Sequence, residues 1–148
     1  MRRVIFLIER TNFRASVQCF VYDDKERFLL LKRSNTSYCN NMYALPGGHL
    51  DRNETIVDGM IRELDEEIGV KFSSNELRLI KIVNRTIGNN NYLDFIFKTS
   101  LNGRKASNKE KELCSRMIFR EKEKLPKETI PIIKKIIESD DYFITMEE

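Results

Sequence analysis

Residues 48–70 read GHLDRNETIVDGMIRELDEEIGV, a run of carboxylates closed at both ends by glycine. Glu63, Glu66 and Glu67 stand at i, i+3 and i+4, so a helix sets them on one face within an arc of roughly 100°. Val57, Met60, Ile61, Leu64 and Ile68 cover a separate arc, which gives the same helix an apolar face for packing. Thr55 with Asp58 three residues on is a capping pattern, so the spacing predicts a helix that begins at Ile56. Gly69 suits the left-handed position that ends it.

Like charges at i,i+4 destabilise an isolated helix by about 0.2–0.5 kcal/mol per pair, so Glu63 facing Glu67 needs a compensating partner. A divalent cation supplies one. Mg²⁺ is hard, takes oxygen ligands and shares its shell between a few carboxylates, water and substrate phosphate. Just upstream, Leu45-Pro46-Gly47-Gly48 reads as a chain reversal whose backbone can approach a ligand with no Cβ in the way.

The segment resembles the Nudix box, GX5EX7REUXEEXGU with U a bulky aliphatic residue. Gly48, Glu54, Arg62, Glu63, Leu64, Glu66, Glu67, Gly69 and Val70 occupy its constrained positions. At ordinary residue frequencies such a match arises by chance on the order of once in a million chains or less. The flanks are similar too: LLLKR at 29–33, LPGG at 45–48, and Cys114 to Phe119 followed by Leu125-Pro126. The resemblance implies an α/β fold, a Nudix-type α/β/α sandwich with a mixed β-sheet and a catalytic helix after a Gly-rich loop. It implies Mg²⁺-dependent hydrolysis of a nucleoside diphosphate derivative, with Mn²⁺ able to substitute. Glu63, Glu66, Glu67 and the Gly47 carbonyl would hold the metal. Arg62 would hold a catalytic glutamate in place, with Glu63 the first choice of general base and Glu67 the second. Gly48, His49 and Phe119 are candidates for substrate contact, and Glu110 or Glu112 for a further carboxylate outside the motif. Glu54 reads as structural. Three positions depart from the common pattern: Gly59, expected on the acidic face with room near the metals; Phe119, where tryptophan is frequent; and Tyr43.

The 148 residues, 41% hydrophobic, suit one domain spanning 1–148. Charged residues make up 33% with a net charge of only +3, and Lys105 to Lys127 interleaves lysine with glutamate, which predicts a solvated surface and gives no strong nucleic-acid signal. Cys19, Cys39 and Cys114 are odd in number and far apart, as expected of reduced thiols in a cytoplasmic protein. No stretch has the length of a transmembrane helix. Strands are expected at 4–8, 14–22, 28–32, 77–85, 92–99 and 115–120, with a loop at 35–41 and a turn over Gly88-Asn89-Asn90-Asn91. Thr129 is expected to cap a last helix that carries Ile130, Ile133, Ile136 and Ile137, with Pro131 in its first turn. Apolar residues in the tail, Tyr142 to Met146, would suit contact with a second copy as a homodimer.

Substrate class follows by elimination. The chain lacks a proline about fifteen residues past the motif, which resembles ADP-ribose hydrolases, and a tyrosine about seventeen past it, which resembles dinucleoside polyphosphate hydrolases. A small-molecule nucleotide, a nucleoside triphosphate or dNTP cleaved to the monophosphate and pyrophosphate, is the leading expectation. The alternatives are an ADP-ribose or other nucleotide-sugar or dinucleotide pyrophosphatase, or a regulatory domain that binds a nucleotide without cleaving it.

Overall fold

The computed structural model describes residues 9–148, so the expected strand at 4–8 lies outside the described residues. Strands β1 (Phe13–Tyr22), β2 (Phe28–Arg33), β3 (Tyr43–Ala44), β4 (Gly47–His49), β5 (Arg78–Ile87), β6 (Asn90–Ser100), β7 (Cys114–Arg120) and β8 (Phe143–Glu147) form one mixed sheet with helices α1 (Ile56–Ile68) and α2 (Pro131–Glu138). The main path runs β3-β2-β1-β6-β5-β8, with β4 on β1 and β7 on β2. Pairs β1–β6 and β5–β8 are parallel; the others are antiparallel.

Alternation along the strands divides the core in two. Val17, Cys19 and Val21 of β1 and Leu29 and Leu31 of β2 pack with Met60, Leu64 and Ile68 of α1. Their neighbours Phe20, Phe28 and Leu30 point the other way and pack with Ile132, Ile133 and Ile136 of α2. The sheet therefore lies between the helices, as expected of an α/β/α sandwich.

One irregularity makes room for a site. β1 changes partner along its length, meeting β2 at Tyr22↔Phe28 and β4 at Ser16↔His49 through Gln18↔Gly47. Beside that change of partner, residues of β1, β4 and the carboxyl-terminal half of α1 line one cavity.

Several expectations need correction. Gly47 and Gly48 do not reverse the chain; they belong to β4, and a Cβ on Gly47 (φ +150°) would fall 2.0 Å from the Val17 carbonyl oxygen, so the glycine permits close strand pairing. Thr129 caps nothing: α2 starts from Ile130 with Pro131 at its head, while the Thr129 hydroxyl donates to the Pro126 carbonyl. The turn between β5 and β6 is only Gly88-Asn89, because Asn90 and Asn91 already pair with Ile87 and Thr86. The tail is a strand: Tyr142 and Phe143 are exposed, but Ile144 is buried and β8 pairs with β5 over Ile82–Thr86. Gly59 opens no space: it is buried, and a Cβ there would meet the Leu50 side chain at 2.2 Å and Glu54 Oε2 at 3.0 Å.

Candidate active site

Helix α1 forms as its sequence predicts. The Thr55 hydroxyl accepts from the Asp58 amide at 3.1 Å, and Gly69 ends the helix at φ 67°. Burial of Met60, Leu64 and Ile68 leaves Glu63, Glu66 and Glu67 facing a cavity of about 580 Å³. Gly47, Gly48, His49, Arg33 and Glu110 also line it.

Each carboxylate is held differently. The Gly47 amide donates to Glu67 Oε2 at 2.8 Å, so β4 reaches the helix through its backbone. Arg62 Nη1 donates to Glu63 Oε1 at 2.8 Å and to Glu66 Oε2 at 3.1 Å. The rest of its guanidinium is anchored: Nε and Nη2 donate to the two Glu54 oxygens at 2.7 and 3.0 Å, and Nη2 also reaches the His49 carbonyl. Glu54 in turn accepts from the Asp51 amide, which ties the 50–54 loop to the helix and supports its structural role. Arg62 holds Glu54 down to about 2, and the Asp51 amide adds to the effect.

Glu110 belongs to the same group although it comes from another segment. The loop before β7 docks on the end of α1, where the Lys109 amide donates to the Glu67 carbonyl and the Ser107 amide to that of Ile68. Those carbonyls have no partner within the helix, so the loop satisfies them and delivers Glu110 beside Glu67. Glu112 is not among the residues that line the cavity; its backbone carbonyl accepts from Asn35 Nδ2.

The electrostatics show excess negative charge. Burial pushes Glu67 up to about 8 against the Gly47 amide, with Glu63 and Glu110 adding to the rise and Arg33 opposing it. Glu63 is raised by burial against the pull of Arg62, with Glu66 and Glu110 adding to the rise. Among the described residues no three carboxylate, thiol or imidazole side chains already converge on a single point. Of the three helix glutamates, Glu63 and Glu66 are turned to Arg62 and Glu67 to the Gly47 amide. An all-oxygen donor set carrying unneutralised charge fits a hard divalent cation.

Of the other expected residues, Gly48 and His49 line the cavity. Phe119 does not. It packs with the α1-side core opposite Leu29, and the Arg27 guanidinium lies over its ring at 5.8 Å. The structure adds Arg33, Tyr38, Ser16, Arg85 and Tyr92 to the lining. Arg85 is held in a buried pair with Asp94, which also accepts from the Ser16 hydroxyl. The available signal was parity: Asp94 shares a strand face with the apolar Ile96, where a charge requires a partner.

A mixed sheet between two helices, with a glycine strand bonded to a glutamate-rich helix, defines a Nudix-type α/β/α sandwich. The NUDIX domain family model matches residues 12–139, and the chain belongs to that family. It resembles the MutT protein of Methanosarcina mazei Go1 at TM-score 0.76 and 20% identity, covering 88% of this chain and 94% of that one. A MutT NUDIX hydrolase from Burkholderia pseudomallei superposes at TM-score 0.76 and 18% identity, covering 88% of this chain and 99% of that one. An RNA pyrophosphohydrolase of Ruthia magnifica subsp. Calyptogena magnifica is 36% identical over 66 residues, 45% of this chain. The match spans 35% of that relative's length. No helix among the described residues is long and apolar enough to cross a membrane.

Proposed function

We propose that this chain hydrolyses a phosphoanhydride bond in a nucleotide carrying a 5′-polyphosphate, with a nucleoside triphosphate or dNTP as its simplest substrate and the monophosphate and pyrophosphate as products. The observation that carries the reading is that Glu63, Glu66, Glu67 and Glu110 line one cavity together with Arg33. Such a site suits phosphoryl chemistry, where catalysis is mainly positioning and charge neutralisation.

Glu63, Glu66 and Glu67, with Glu110 and the Gly47 carbonyl, would hold Mg²⁺ or Mn²⁺. When bound, the cation offsets phosphate charge and makes a coordinated water more acidic. Arg62 fixes Glu63 and Glu66 by a guanidinium that is itself immobilised on Glu54. Gly47 fixes Glu67. Glu63 accepts the proton of the attacking water, with Glu67 as the alternative acceptor. Arg33 stands where a second positive charge meets phosphate oxygens.

A panel of nucleoside triphosphates, ADP-ribose and dinucleoside polyphosphates, each with Mg²⁺ and with Mn²⁺, tests the reading. Pyrophosphate release from a triphosphate is expected. Cleavage of ADP-ribose alone, or of a dinucleoside polyphosphate alone, would remove it.

A further inference from the structure

One loop beside the cavity has a shape that its own residues do not favour. Residues 34–42 connect β2 to β3, and Thr36, Ser37 and Tyr38 of this loop line the cavity. Asn35, Cys39 and Asn41 are left-handed there, at φ 55°, 49° and 62°. Asparagine tolerates that region, but cysteine enters it only where the surroundings impose it.

The far side of the sheet supplies those surroundings. The Tyr38 hydroxyl accepts from Arg85 Nη1 and donates to Glu148 Oε2, each at 3.3 Å. Strands β1 and β6 lie between β2 and β5, so the loop and the two side chains together cross three strand spacings, roughly 14 Å. Arg85 is a fixed post: its Nε and Nη2 are both committed to the buried Asp94, which leaves Nη1 for the loop.

Tyr38 is also bonded at its other end. Its backbone carbonyl accepts from Arg33 Nε at 2.9 Å and from the Thr36 hydroxyl at 3.1 Å, and its ring centroid lies 5.9 Å from the Arg33 guanidinium. The two arginines of the cavity lining have different resources. Arg85 spends its charge on Asp94, whereas Arg33 makes no ion pair among the described residues. Tyr38 therefore ties the available cation to the immobilised one.

We propose that Tyr38 is a positioning residue: its hydroxyl, latched to Arg85 and Glu148, holds the loop so that its carbonyl orients Arg33 toward the substrate phosphates. This rests on the polyphosphate reading above and adds a residue that acts through Arg33 without touching the substrate.

Tyr38→Phe removes the hydroxyl and keeps the ring and the carbonyl. Nitrogen-15 NMR of the substrate-free protein reads the Arg33 Nε–H directly. Its exchange with solvent should quicken on the order of tenfold in Tyr38→Phe and change little in Glu148→Gln, whose amide oxygen still accepts from the hydroxyl. Calorimetry with an imido-bridged nucleoside triphosphate and Mg²⁺ then completes a cycle over wild type, Tyr38→Phe, Arg33→Ala and the double variant. Loss of the hydroxyl should weaken binding roughly three- to tenfold when Arg33 is present and not at all when it is absent. In hydrolysis the same factor should appear in KM, with kcat little changed. Unchanged Nε–H exchange in Tyr38→Phe, or an equal loss with and without Arg33, overturns the positioning role. Hydrolysis with independent effects of the two residues leaves the activity and removes the latch; coupled binding without hydrolysis does the reverse. A wild type that does not bind the triphosphate removes both.

Discussion

Gly48 has no side chain where Glu63 occupies the space: a Cβ there would sit 2.5 Å from Glu63 Oε1 and 2.7 Å from its carboxyl carbon. The clash is with the end of a flexible side chain, so the backbone need not move but the carboxylate must. Gly48→Ala is expected to lose less than about 1 kcal/mol of stability while turnover falls about 100-fold, the effect of a small misplacement at a reacting centre. Thermal melts beside steady-state kinetics check it; near-normal turnover would mean that Glu63 is not placed for chemistry.

Arg62 bridges Glu54, Glu63 and Glu66 with one planar fork. Lysine keeps the charge but has a single ammonium and no bidentate geometry. Arg62→Lys should therefore lower turnover or metal affinity roughly 10- to 100-fold, as loss of supporting contacts typically does. Glu54→Gln should move the same quantities in the same direction, because it frees the other end of the fork. Metal titrations of both variants decide; if only Glu54→Gln matters, the anchor acts through the 50–54 loop and not through Arg62.

Glu66 is the most exposed of the three helix carboxylates and, among the described residues, is held by Arg62 alone. Replacing it should disturb folding little. Glu66→Gln is expected to cut turnover by orders of magnitude and to weaken Mg²⁺ binding, with the melting temperature little changed. Normal activity in Glu66→Gln and in Glu67→Gln would remove the ligand assignment.

The helix from Ile56 to Gly69 was legible because periodicity, cap and terminator are all local. So were the long strands. What stayed hidden depends on pairing between distant segments. Nothing in Gly47-Gly48-His49 announces a strand until Ser16, Val17 and Gln18 lie beside it. β8 is likewise a strand because β5 offers an edge. Phe119 could be read either as a substrate contact, by resemblance, or as core; its register opposite Leu29 packs it with the α1-side core. Glu110 could be named but not separated from Glu112, since the choice rests on how the loop meets the last carbonyls of α1. Tyr38, Arg85 and Glu148 are far apart along the chain and meet only because the 34–42 loop reaches over the sheet.

Asp94 is fully buried and bonded to Arg85 and Ser16. Removing one member of a buried pair leaves the other charge uncompensated, which destabilises by roughly 3–5 kcal/mol. Asp94→Ala should show that loss as a lowered urea midpoint with an unchanged slope. The double variant Asp94→Ala/Arg85→Met should recover part of it, since the stranded guanidinium is then gone. No recovery would assign the loss to packing.

The raised Glu67 carboxyl makes a pH prediction for the protein stripped of metal by a chelator. Its folded value, about 8, lies above the ordinary glutamate value of 4.5, so between the two the folded state keeps a proton that the unfolded chain has lost. Stability contributed by that proton is complete below the unfolded value and declines as pH rises through the window, with a slope of at most ~1.4 kcal/mol per pH unit. Glu67→Gln cannot ionise and should flatten the decline. Mg²⁺ should restore stability at high pH by binding the ionised form, and its affinity should weaken as pH falls because protons compete for the same oxygens. Urea denaturation from pH 5 to 8.5, with chelator and with Mg²⁺, measures both effects. A stability curve that rises with pH over this range in the chelated protein, or one identical in Glu67→Gln, would show that Glu67 is already ionised without metal.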